Sequence, residues 1–209
     1  MYRHFFILFL IVFASSSCVQ AQEFKEGDYY VEIKGQASKD KEVTEFFSFY
    51  CPHCYRQEPF MNELQAALPT NTTFKKNHVD NMPGRSQEIE HALSKALITA
   101  NILKVKPQIV PAIFEHIHAK DKDFSSVDNI KALFLAQGIN GDKFDKTFKG
   151  FVVNSKFKQM QNKTAALRQQ GIHQVPTLII NGKYMPVVDK LKSLEEYKQL
   201  VLYLLNKPA

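Results

Sequence analysis

Residues 43–55 read VTEFFSFYCPHCY, a nearly continuous apolar run that ends at the tetrad Cys51-Pro52-His53-Cys54. From Val43 to Tyr50 the run is aromatic-rich and preceded by charge, the pattern of a central strand buried on both faces. Beyond the tetrad, Tyr55, Met61, Leu64 and Leu68 recur at helical spacing, which predicts a helix from Cys51 to Ala67 with a kink at Pro59. A strand that runs into Cys-x-x-Cys at a helix start is a specific chemical signal. Its two sulfur atoms lie one turn apart and can form a disulfide without rearranging the backbone. The first faces the helix N-terminus, where unpaired N–H groups and the positive dipole end stabilise a thiolate. His53, if protonated or donating a hydrogen bond, adds to this. Thiols so placed have pKa values of ~3.5–7.5 in place of ~8.5. A pKa lowered by about 3 favours the thiolate by about 4 kcal/mol. That raises the reduction potential on the order of 90 mV, because stabilising the reduced form makes the disulfide a stronger oxidant.

Outward from this centre, Tyr29–Ile33 and Thr73–Asp80 read as strands, the latter broken by Met82-Pro83-Gly84. Helical patterns then follow one another. Ser86–Leu103 carries Ile89, Leu93, Ala96 and Leu97 on one stripe, and Pro107–His118 opens with a proline where a first turn tolerates one. Ser126 caps a helix that stops at Gly138, another starts near Asp142, and a long one covers Phe151–Gln170 before Gly171. Thr177–Ile180, Asn181-Gly182 and Lys183–Met185 form a hairpin signal, and Leu194–Leu205 closes the chain as an amphipathic helix. The fold class is therefore α/β: a mixed sheet interrupted by an all-helical insertion too long to be a loop. The expected division is 1–21 as a signal peptide, 22–83 with 163–209 as the sheet domain, and 84–162 as the inserted helical domain.

The 209-residue chain suffices for one core with an inserted subdomain, and its composition excludes disorder, collagen and coiled coil. A net charge of +6 without a dense Lys/Arg run gives no footprint for nucleic-acid binding. At the N-terminus, Arg3 precedes ten apolar residues, Phe5–Ala14, and a small, polar tail ending in Val19-Gln20-Ala21. Ten residues cannot cross a bilayer core that needs ~20 in a helix, so the segment is expected to be a cleaved signal peptide. Cys18 within it is a hydrophobe in a discarded peptide or, alternatively, an acylation site, although Ser15-Ser16-Ser17 lacks the usual aliphatic residue. Cys51 and Cys54 are then the two cysteines of an exported protein, and export points to an oxidising compartment.

Two other readings of the pair fit the sequence less well. A structural Cys51–Cys54 disulfide would close too small a loop to constrain the unfolded chain. Structural zinc needs four ligands, and no second pair has ligand spacing; His116-x-His118 is nearest, but i and i+2 diverge on a helix. A second informative element is Gly171-Ile-His-Gln-Val-Pro-Thr177, where Pro176 precedes a strand. A cis Val175–Pro176 bond there would turn the chain and present the Val175 backbone to a ligand.

The chain resembles the DsbA-type periplasmic thiol oxidases of the thioredoxin superfamily. The resemblance rests on residues 45–55 (EFFSFYCPHCY), residues 171–184 (GIHQVPTLIINGKY) and the helical insertion between them. It implies a thioredoxin-like fold with an inserted helical subdomain. It makes Cys51 the exposed nucleophile, Cys54 its buried partner, and Pro52 and His53 the dipeptide that tunes the potential. Pro176 matches a cis-proline beside the disulfide, and Val175 the residue that pairs with bound peptide. Glu45 and Lys76 match a buried acid and its basic partner, with Glu58 in the same charged cluster. The implied activity is that of a monomeric protein-disulfide oxidoreductase that oxidises reduced, unfolded exported proteins in the periplasm. A DsbB-like membrane partner would reoxidise it. The chemistry calls for no organic cofactor and no metal, and an apolar groove beside the site is expected to hold unfolded segments loosely. Alternatives are a periplasmic reductase or isomerase and, from a different class, a thiol-dependent metal carrier or a peptide-binding chaperone.

Overall fold

The computed structural model describes residues 24–208; the expected signal peptide and Cys18 lie outside them. In chain order come β1 (Tyr30–Glu32), β2 (Glu42–Phe47), α1 (Pro52–Ala67) and β3 (Thr73–His78). The helical insertion follows as α2 (Gln87–Ile102), α3 (Lys106–Phe114), α4 (Val127–Ala136), α5 (Gly141–Phe148) and α6 (Phe151–Arg168). Then β4 (Thr177–Ile180), β5 (Tyr184–Pro186) and α7 (Leu194–Asn206) return to the sheet. The strand order is β1-β5-β4-β2-β3, with β2 and β3 parallel and every other neighbour antiparallel.

Alternation along β2 decides what each face meets. Val43 joins Leu178 and Ile180 of β4 in a core closed by Phe60, Met61 and Leu64 of α1 and by Leu200, Val201 and Leu204 of α7. Phe46 points the other way, into a smaller cluster with Ile179 and with Leu167 of α6. A third core fills the helical block around Leu93, Leu97, Ile113, Phe114, Phe134 and Phe144, and it extends to Phe47, Phe49, Cys51 and Cys54. The cysteines are thus packed into the interior of the insertion, not that of the sheet.

Local chemistry sets the element ends. The strand stops at Phe47, short of Tyr50, because Ser48 turns the chain. Its hydroxyl accepts the Tyr50 N–H at 3.2 Å and its carbonyl the Cys51 N–H at 3.1 Å. Ser86, Ser126, Asn140 and Ser193 each cap a helix by accepting an N–H three residues on. α1 runs unbroken through Pro59. The predicted Pro107–His118 helix begins one residue earlier, at Lys106, and gives way to a π turn at Glu115–Ala119. At the hairpin, Asn181 and Gly182 both have positive φ, as a type I′ turn requires. A Cβ at Gly182 would lie 2.7 Å from the Gln36 carbonyl, so only glycine fits.

Candidate active site

Cys51 occupies the N-cap of α1, with extended backbone and Pro52 in the first turn. Its Sγ accepts the backbone N–H of Cys54 at 3.1 Å, the capping interaction otherwise made by a Ser or Asp oxygen. Both cysteines are thiols in this structure. Hydrogen bonding from the Cys54 thiol is the largest influence on Cys51, with further help from the backbone N–H groups of Cys54 and His53 and from the Arg56 charge. Against the cost of burial, these lower its pKa to about 7. Burial pushes the Cys54 thiol far up, and the Cys51 sulfur and the Glu45 carboxylate push it further. The two pKa values are therefore driven apart, one to serve as a thiolate and one to hold its proton.

Two sequence expectations change here. The lowering of Cys51 from 9.0 to about 7 is smaller than the expected 3 and corresponds to roughly 60 mV. Cys51 is only 4% exposed, far from open, while Cys54 is 0% exposed. The Cys51 thiol faces the Val175 carbonyl at 3.5 Å, and that backbone forms part of its cover. The His53 Nδ1 accepts from Arg56 at 3.0 Å, and His53 helps lower the Cys51 pKa through its backbone N–H. Arg56→Ala should accordingly raise the Cys51 pKa by about 0.5 or less, given solvent screening of an exposed charge. A pH titration of thiolate ultraviolet absorbance measures this.

The Val175–Pro176 bond is cis. Val175 and Pro176 line a cavity of about 540 Å³ with His53, Gln57, Leu194 and Tyr197. Val188 and Leu194, 50% and 58% exposed, give this groove an apolar rim.

Beneath the pair, the parallel register sets Glu45 of β2 beside Lys76 of β3. Lys76 Nζ donates to Glu45 at 2.6 Å and to Glu58 of α1 at 2.7 Å, and it lies 4.7 Å from the centre of the Phe47 ring. Glu45 is fully buried, and its Oε1 has no hydrogen-bond partner among the described residues. Burial raises the Glu58 pKa, with Lys76 pulling against it. Burial also opposes the Lys76 charge, but the two carboxylates outweigh it and raise the Lys76 pKa.

Several partners of the site were not read from sequence. The Tyr50 hydroxyl donates to Asp123, which also accepts from Arg85 at 3.0 Å, while the Arg85 guanidinium lies 4.4 Å over the Tyr50 ring. Burial, then Asp123, raises the Tyr50 pKa. His118 Nε2 donates to the Phe49 carbonyl at 2.8 Å, and its ring stacks on Tyr55 at 5.1 Å. His116 turns away to stack on Phe124 at 4.3 Å. Among the described residues no three potential metal ligands come together.

The arrangement can exchange disulfides: a stabilised thiolate, a protonated partner one turn on, a backbone carbonyl at the reacting sulfur and a groove beside it. Comparisons with known proteins agree. Residues 42–199 match the model of the DSBA-like thioredoxin domain. The chain is 32% identical to the thiol:disulfide interchange protein DsbA of Pectobacterium carotovorum, covering 99% of this chain and 100% of that one. It is 34% identical to the DsbA of Haemophilus influenzae, with 90% of each covered. A Proteus mirabilis DsbA structure with a non-covalently bound peptide superposes with a TM-score of 0.77 at 32% identity, over 89% of this chain and all of the other. The cysteine pair, the fold that presents it and these likenesses agree, and the chain belongs to the DSBA-like thioredoxin domain family as a protein-disulfide oxidoreductase.

Proposed function

We propose that this protein oxidises exported proteins by donating a Cys51–Cys54 disulfide through a mixed disulfide at Cys51. The observation that carries this reading is the capping geometry at Cys51, which favours its thiolate and hence the reduced state of the pair. In the cycle, a substrate thiolate attacks Cys51 Sγ and breaks the Cys51–Cys54 bond. Cys54 leaves with the electron pair and takes up a proton, as its raised pKa demands. The Glu45–Lys76–Glu58 cluster is the nearby acid–base system suited to supply that proton, with the Glu58 carboxyl biased by burial toward its protonated form. A second substrate thiolate then attacks the substrate sulfur of the mixed disulfide and expels Cys51 as thiolate, an apt leaving group at a pKa of about 7.

The apolar groove beside Pro176 suits loose binding of an unfolded segment, with the Val175 backbone as its hydrogen-bonding edge; the Proteus relative holds a peptide non-covalently. The apolar leader at residues 5–14 supports export to the periplasm, and family likeness supports reoxidation by a DsbB-like membrane partner. The test is the equilibrium potential of the cysteine pair in glutathione buffers. A value well above the thioredoxin level of about −270 mV is expected. A value near that level would overturn disulfide donation in favour of a reductase.

A further inference from the structure

A second cavity, of about 320 Å³, lies at the seam where β3 meets α2, α3 and α6. Five lysines line it: Lys75, Lys76, Lys106, Lys156 and Lys163. No Asp or Glu lines it among the described residues. Two of the five are committed elsewhere, Lys75 to Glu42 and Lys76 to Glu45 and Glu58. Lys106, Lys156 and Lys163 form no ion pair among the described residues. Lys156 and Lys163 stand seven residues apart on α6, two turns along one face, and both line the same opening. Lys106 enters from the first turn of α3, where a cation also opposes the helix dipole. Nothing in the helix itself favours it there. Burial lowers its pKa and repulsion from Lys76 adds to the effect, against the attraction of Glu58 and Glu45.

Cations drawn together in a concave, partly buried place repel one another, and an anion of two or more charges relieves that repulsion. Lysine ammonium groups are compact point charges suited to phosphate oxygens approaching from several directions. The volume falls at the small end of ligand cavities. We infer that this lysine-lined cavity between β3 and α6 binds a phosphate-bearing anion of multiple charge, either free in solution or presented as a lipid headgroup. The site is separate from the cysteine groove and does not rest on the proposed direction of exchange.

The experiment uses the chain without its leader at low ionic strength, with two probes: inorganic tripolyphosphate by titration calorimetry, and phosphatidylglycerol against phosphatidylcholine vesicles by co-sedimentation. Lys156→Gln/Lys163→Gln alters exposed residues outside the redox machinery. Lys143→Gln/Lys146→Gln on α5 removes the same charge elsewhere. Saturable tripolyphosphate binding that weakens about tenfold or more in the first variant only is expected for a free phosphate ligand. Binding to phosphatidylglycerol vesicles alone, lost in the first variant and kept in the second, assigns the site to a lipid headgroup. Absence of binding to both probes, or equal weakening in both variants, overturns the inference. A folded melting profile for each variant excludes misfolding as the cause of any loss.

Discussion

Cys51→Ser and Cys54→Ser are each expected to reduce oxidation of a reduced, unfolded test protein to the uncatalysed rate, but for different reasons. The first removes the sulfur that a substrate attacks. The second keeps a reactive Cys51 that can form a mixed disulfide but has no disulfide to donate. The difference is readable in the thiol itself. Cys54→Ser retains a hydroxyl that can donate to Cys51 and should leave its pKa near 7, whereas Cys54→Ala removes that donor, the leading cause of the lowering, and should move it upward. Alkylation rate against pH in both variants measures the midpoint. Full oxidase activity in Cys51→Ser would sink the assignment, and identical midpoints in Cys54→Ser and Cys54→Ala would sink the account of the lowering.

Lys76→Met is expected to produce the largest loss of stability outside the hydrophobic core. It leaves Glu45 and Glu58 as neighbouring buried carboxylates without their shared cation. Removing one partner of a buried ion pair costs about 3–5 kcal/mol. The loss should depend on pH. Burial already raises the Glu58 pKa, and without the lysine nothing opposes that rise, so the penalty grows as pH rises above about 4 and vanishes below it, where its carboxyl is protonated in both states. Urea unfolding at pH 7 and at pH 4 tests this, with the gap between wild type and variant expected to close at the lower pH. Adding Glu58→Gln to Lys76→Met should recover part of the loss at pH 7. A gap independent of pH would mean that lost packing against Phe47, not charge, sets the cost.

What could be read in advance divides along sequence distance. The strand, tetrad and helix are local, and periodicity placed them within a few residues. The helix starts at Ser86, Ser126 and Ser193 were visible because a capping side chain and the N–H that it satisfies are three residues apart. Arg56 also lies close to the tetrad but escaped notice, since an exposed arginine has no signature until it meets a ring nitrogen. The association of Glu45 with Lys76 came from resemblance, because spacing cannot reveal a pair set by parallel register across 31 residues. Tyr50 with Asp123 and Phe49 with His118 are joined across 73 and 69 residues by the folding of the insertion over the strand end. The π turn that carries His118 had no signal in periodicity, because one extra residue per turn looks like a helix slightly out of phase.

That turn has a dynamic consequence. His118 fastens the insertion to the carbonyl two residues before Cys51, and the interior that surrounds both sulfur atoms is the one that the insertion closes. Motions that part the insertion from the strand therefore loosen the redox pair, whereas fraying at β1 and β5 leaves it undisturbed. Amide hydrogen exchange would sort the molecule into units that cut across its architecture, with the cysteines opening together with α2 and α3 and staying closed while the far edge of the sheet breathes.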